Sequence, residues 1–145
     1  MASTAEGLRL WAAGLYETEA AAELLLRAFG GRFASPCFPW VQESAAGSVW
    51  LDWEKMTGHV GDLSGGEQRV LAVVQALATA GPLWNLGGVL AGVDRDHLAL
   101  ILAALAHAGG SHEQVNVHVS DGGLTFRRLP ALVEWPAAGV EAVRS

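Results

Sequence analysis

The chain has 145 residues, of which 51% are hydrophobic and 17% charged, and its formal net charge at pH 7 is −6. This length fits one domain with its own core, so we expect a single globular domain over residues 1–145. The acidic balance and the scattered basic residues argue against a nucleic-acid partner, which would need a basic stripe.

Cysteine usage and hydropathy indicate the compartment. The lone Cys37 excludes an intrachain disulfide, as is typical of a reducing compartment. Residues 1–7 have no signal-peptide pattern, and the longest apolar run, residues 98–106, is shorter than the roughly 20 residues needed to span a bilayer. We therefore expect a cytoplasmic protein with no membrane contact, and the excess of arginine, alanine and glycine points to a bacterial source.

The first half of the chain predicts two helices and a short strand. Ser3 and Glu6 have the spacing of a capping box, which predicts a helix over about residues 4–13, and a second is expected over about residues 18–29. Residues 32–47 read as a loop. Residues 48–53 alternate like a strand, although Asp52 could also cap a brief helical turn towards Thr57.

The second half predicts two strongly apolar helices, over residues 64–79 and 95–108, with a short helix capped by Asn85 between them. Helices that are apolar over most of their circumference are usually buried. We therefore predict that these two form a central antiparallel pair, covered by the N-terminal helices.

The tail changes to the period of a strand. Residues 115–120 alternate valine with polar side chains, residues 121–123 form an Asp-Gly-Gly turn, and residues 124–129 return as a second strand. The predicted fold class is α+β and mostly helical, with a C-terminal β-hairpin at the edge of the core.

Residues 63–69, Leu-Ser-Gly-Gly-Glu-Gln-Arg, resemble the signature motif of ABC-type ATPases. In that family the serine and glycines begin a helix and contact the γ-phosphate of a nucleotide held by the opposite subunit. The resemblance therefore implies an anion or nucleotide site at Ser64, Gly65 and Gly66. The N-terminus of a helix favours anions through its unpaired N–H groups and its dipole.

The remaining ATPase machinery is missing from the sequence. No G-x-x-x-x-G-K-[ST] loop is present, and residues 83–88 lack the carboxylate that would hold Mg²⁺. We therefore expect no autonomous ATPase activity. A local interpretation is favoured, in which Ser64 and Glu67 form a capping box before an apolar helix. An anion site and a complementing half of an ATPase are the alternatives.

Two further residue sets contain groups that serve as nucleophiles or metal ligands in other proteins. Cys37 could be a nucleophile, but a lone cysteine is more often a small buried hydrophobe. The spacings of His107, His112 and His118 match no common zinc pattern. We therefore assign no catalytic residue, no metal site and no cofactor.

An aromatic set surrounds the predicted loop: Phe33, Phe38, Trp40, Trp50 and Trp53. It could form a satellite core beneath residues 32–47 or a patch that binds a partner or ligand. Together with the apolar surplus of the chain, it favours a non-enzymatic protein-interaction domain that forms a homodimer or binds another protein. The alternatives are a phosphate- or nucleotide-responsive accessory protein using residues 64–66, and an unrecognised hydrolase.

Overall fold

The computed structural model describes residues 3–137, and within that range the fold is α+β and mostly helical, as predicted. The ends of the predicted domain, residues 1–2 and 138–145, lie outside the described residues. The helices are α1 Thr4–Ala12, α2 Tyr16–Arg27, α3 Trp53–Thr57, α4 Gly65–Thr79, α5 Leu86–Ala91 and α6 Arg95–Ala108. The strands are β1 Val41–Glu43, β2 Val49–Leu51, β3 Val115–Ser120 and β4 Gly123–Arg128.

Side-chain caps set the helix starts where the sequence predicted them. Ser3 and Glu6 form a reciprocal capping box at α1, while the carboxylate of Asp94 accepts a hydrogen bond from the His97 amide at α6. Asn85 caps α5 in the same way, and Asp52 caps α3. The segment over residues 48–57 therefore contains both the expected strand, as β2, and the expected helical turn. Each such cap stabilises its helix by about 1 kcal/mol.

Helix α2 lies at the centre of the fold, and the predicted central pair does not. It packs extensively against both α4 and α6, which touch each other much less. Its buried face combines alanines, which let neighbouring helices approach closely, with the fully buried Leu24 and Leu25. The sequence prediction placed α4 and α6 together because both are strongly apolar, but apolarity does not specify the partner.

The end of α2 and the loop after it also differ from the prediction. The helix stops at Arg27, two residues early, because Phe29, Gly30 and Gly31 adopt positive φ angles. Residues 32–47 contain β1, which pairs with β2 in a short antiparallel sheet. Strand pairing of this kind is invisible to local patterns when a strand has only three residues.

Helix α6 is less buried than its composition predicted. Leu100, Ile101 and Ala104 face the core, whereas Leu102 and Leu105 are 45% and 44% exposed. The apolar surplus of this helix therefore partly lies on the surface of the described chain.

The predicted C-terminal hairpin is confirmed, but it does not edge the core. Strands β3 and β4 pair in register from Val115 opposite Arg128 to Ser120 opposite Gly123. Every residue of both strands is exposed, and no other described helix or strand packs closely on them. The hairpin is held at its base by an ion pair between Arg128 and Glu113 and by the Leu129 amide, which donates to the Gln114 carbonyl.

A partly buried ion network joins α1, α2 and the tail. The Glu23 carboxylate accepts hydrogen bonds from Arg9 on α1 and from Arg27 on its own helix. Arg27 also donates to the Pro136 carbonyl over 2.8 Å and lies over the Trp135 ring. Burial raises the pKa of Glu23, but the two arginines outweigh it and hold the pKa below its ordinary value.

We expect the change Glu23→Gln to lower the free energy of unfolding at neutral pH by about 1–3 kcal/mol, because two arginines lose their charged partner. The folded-state pKa of Glu23 lies below its unfolded value, so its contribution is present above about pH 4.5 and is lost as the pH falls further. Urea denaturation at neutral and acidic pH measures both effects. Glu17→Gln, an exposed change on the same helix, is the control, and an equal loss in that variant would contradict the network's role.

Candidate functional site

The predicted anion site at Ser64, Gly65 and Gly66 is built as a capping box. The Ser64 amide donates to Oε1 of Glu67 over 2.9 Å, and the Glu67 amide donates to Oγ of Ser64 over 3.3 Å. Arg32 donates to the other carboxylate oxygen over 2.7 Å. The anion at the start of α4 is therefore the Glu67 carboxylate of the chain itself.

The electrostatics of this helix start agree with its geometry. Hydrogen bonding from the Ser64 amide, with the charge of Arg32, holds the pKa of Glu67 below its ordinary value. An external phosphate would have to compete with this ionised carboxylate. A Cβ added at Gly66 would meet nothing within 4 Å, so no contact in the described chain requires glycine there.

The predicted aromatic interaction patch is largely a core. Phe33 and Trp40 are buried, Trp40 donates its indole N–H to the Phe33 carbonyl over 2.8 Å, and Phe38 stacks on Trp40 with ring centroids 4.6 Å apart. Trp50 on β2 and Trp53 at the start of α3 are half-buried, and Trp53 packs against the core. Phe33 and Trp40 belong to the main core and Phe38 packs against it, and a buried indole with its N–H satisfied cannot serve as a docking surface.

Cys37 and His118 do not come together with a partner that would activate them. Cys37 is exposed, contrary to the expectation of a buried hydrophobe, and no histidine hydrogen-bonds to its thiol in the described part of the chain. His118 lies on the exposed β3 strand. Nothing within residues 3–137 therefore assembles a cysteine nucleophile with a base.

The structure instead brings His107 and His112, two of the histidines considered above, together with Glu19, which the sequence patterns did not suggest. Glu19 lies in the first half of α2, His107 in the last turn of α6, and His112 in the 3₁₀ turn Ser111–Glu113 that follows. One ligand atom from each lies within 4.8 Å of the others. His107 and Glu19 are joined by a hydrogen bond of 2.8 Å between Nε2 and Oε1.

Stacked rings hold the two histidines. The imidazoles of His107 and His112 lie with centroids 3.9 Å apart and planes 15° from parallel, and Tyr16 meets His112 edge-on at 4.9 Å. Nδ1 of His112 is buried and has no hydrogen-bond partner. A buried polar atom without a partner lowers the stability of the fold by about 1–3 kcal/mol, so a ligand that bound this nitrogen would remove that penalty.

Glu19 is prepared to carry a negative charge. Burial raises its pKa, but the Gly14 amide, which donates over 2.9 Å, and His107 together outweigh burial and lower the pKa below its ordinary value. An open cleft of about 190 Å³ reaches this carboxylate and the His107 ring. The cleft is lined by Arg9, Ala12, Glu19, Ala22, Glu23 and His107.

The exposed hairpin offers a second candidate site with a different character. Its register places Val117 opposite Phe126 and Val119 opposite Leu124, so these four side chains share one face with Val115. We call these five side chains the hairpin apolar face, and Arg128, opposite Val115, lies at its base. The other face carries Asn116, His118, Ser120, Thr125 and Arg127.

The chain matches no protein-family model, no curated protein and no solved structure. The resemblance of residues 63–69 to the ABC signature motif therefore stays a prediction. Among the helices described, none has both the length and the apolarity to cross a bilayer.

We expect Ser64→Ala to lower the free energy of unfolding by about 1 kcal/mol, because the cap of α4 is lost. Gly66→Ala should raise it by about 0.4–1 kcal/mol, since the added methyl meets open space and alanine restricts the unfolded chain. Urea denaturation measures both variants. A marked loss of stability in Gly66→Ala would contradict the interpretation as a simple cap.

Proposed function

We propose that this protein is a non-enzymatic interaction domain of the bacterial cytoplasm that self-associates through the hairpin apolar face. One observation carries the proposal: the strict alternation of β3 and β4 gathers five apolar side chains on one face. No other described helix or strand packs closely on them, and each is at least 46% exposed. Among them Val119 is 73% exposed and Phe126 69%.

Alternation of this kind is typical of a sheet with one packed face and one solvated face. An antiparallel sheet can leave its polar face in water, but the apolar face normally meets a second layer. A two-stranded hairpin without such a layer is at best marginally stable in water. The covering layer is therefore expected to come from outside residues 3–137.

A second copy of the chain fits this face. The only charged group on it, Arg128 at the hairpin base, is already paired with Glu113 over 2.8 Å. Two such faces related by a twofold axis would meet without like charges in contact, and both polar faces would stay in water. Cys37 is the only cysteine of the chain, so no intrachain disulfide can form, as is typical of a reducing compartment.

The size of the face sets the expected affinity. Strands of this length are about 20 Å long, and two side by side present a face about 10 Å wide, or roughly 200 Å². A stable interface buries about 800 Å² on each partner. We therefore expect weak association that becomes visible only at high protein concentration.

Sedimentation velocity from about 1 µM to about 1 mM protein tests this proposal, a range that covers weak complexes. The wild type should shift from monomer to dimer within it. Phe126→Lys should stay monomeric because a charge would be buried in the contact. Thr125→Lys, which places the same charge on the neighbouring residue of the opposite face, should behave like the wild type.

Two outcomes contradict the proposal. The first is a wild type that is monomeric at every concentration, and the second is a dimer that Phe126→Lys leaves intact. Phe126 is exposed in the single chain, so its substitution should change the unfolding free energy at low concentration by less than about 0.5 kcal/mol. That measurement separates loss of the contact from loss of the fold.

A further inference from the structure

We propose that Glu19, His107 and His112 form a binding site for one divalent transition-metal ion, with zinc as the ion that fits best. The site shares no residue with the hairpin apolar face, because none of the three residues belongs to β3 or β4. It consists of one carboxylate from α2 and two imidazoles, one from the last turn of α6 and one from the 3₁₀ turn that follows.

The distances between the ligand atoms suit coordination. Two ligand atoms bound to one tetrahedral zinc at about 2.0–2.1 Å lie about 3.4 Å apart. Here Nε2 of His107 and Oε1 of Glu19 are 2.8 Å apart, and all three ligand atoms lie within 4.8 Å of one another. The His107–Glu19 separation is below the required value and no separation exceeds 4.8 Å, so the three atoms are close enough to share one ion once a ring turns.

The backbone bends sharply after α6, and this bend places His112 next to His107. Gly110 adopts a φ of +74°, and a Cβ at this position would lie 2.9 Å from the Tyr16 ring. Glycine is therefore needed for the tight bend between the end of α6 and the next turn. The bend delivers an imidazole whose Nδ1 is buried and unpaired.

One ring must turn when the metal binds. A ring nitrogen binds a metal through a lone pair that lies in the plane of the ring. The planes of His107 and His112 are only 15° from parallel, so the stacked rings cannot point both lone pairs at one ion. Metal binding should therefore open the stack and change the surroundings of Tyr16, which contacts His112 edge-on. Tyr16 is the only tyrosine of the chain, so the NMR resonances of its ring report specifically on this contact.

The ligand set selects the class of ion. Imidazole with one carboxylate suits zinc and its first-row neighbours, whereas Mg²⁺ and Ca²⁺ prefer oxygen ligands alone. Three protein ligands leave a fourth zinc position for water. The cleft beside Glu19 and His107 is open to solvent and has room for that water.

Isothermal titration of the untagged, chelator-treated protein with zinc chloride at neutral pH is the test. We expect one zinc ion per chain with a Kd of about 1 µM or tighter. Cobalt chloride in a parallel titration should give visible absorption bands, and zinc should shift the NMR resonances of the Tyr16 ring. His112→Ala should weaken zinc binding at least about tenfold.

Matched variants decide between this site and adventitious binding. His118→Ala removes an exposed histidine of β3 and should leave the affinity unchanged, while Glu19→Gln should weaken it if His112→Ala fails to fold. The proposal is overturned by a wild type without saturable zinc binding, by an equal loss in His118→Ala, or by equally tight binding of Mg²⁺.

Discussion

The packing of α2 is the constraint on which the rest of the structure depends. Its alanines allow α4 and α6 to approach from two sides, and Leu24 and Leu25 fill the space between them. Burying each leucine contributes about 1.5–3 kcal/mol, more than any single helix cap. The caps therefore decide where the helices begin, whereas α2 decides where they lie.

Helix α2 also carries the two carboxylates on which the ion network and the candidate metal site depend. Glu19 and Glu23 are one helical turn apart, and each meets a different partner: His107 from α6, and the arginines of the ion network. A partly buried carboxylate needs such partners because burial disfavours its charged form. Consequently, the helix that builds the core also fixes the carboxylates that line the cleft.

Local features were predictable from the sequence, and long-range contacts were not. The capping boxes and the C-terminal hairpin depend on residues a few positions apart, and each is where its pattern placed it. The central role of α2 was missed because periodicity identifies a buried face without naming its neighbour. The cluster was missed because Glu19 is 88 residues from His107, and the histidine spacing alone resembles no zinc motif.

The base of the hairpin is where the two proposals meet. The turn Ser111–Glu113 carries His112, while Oγ of Ser111 accepts a hydrogen bond from the Leu132 amide and Glu113 holds Arg128 of β4. A ring that turns at His112 therefore moves within the same short turn that supports the hairpin. Metal binding would not contact the hairpin apolar face directly. Zinc would change self-association only by ordering the turn at the base of the hairpin.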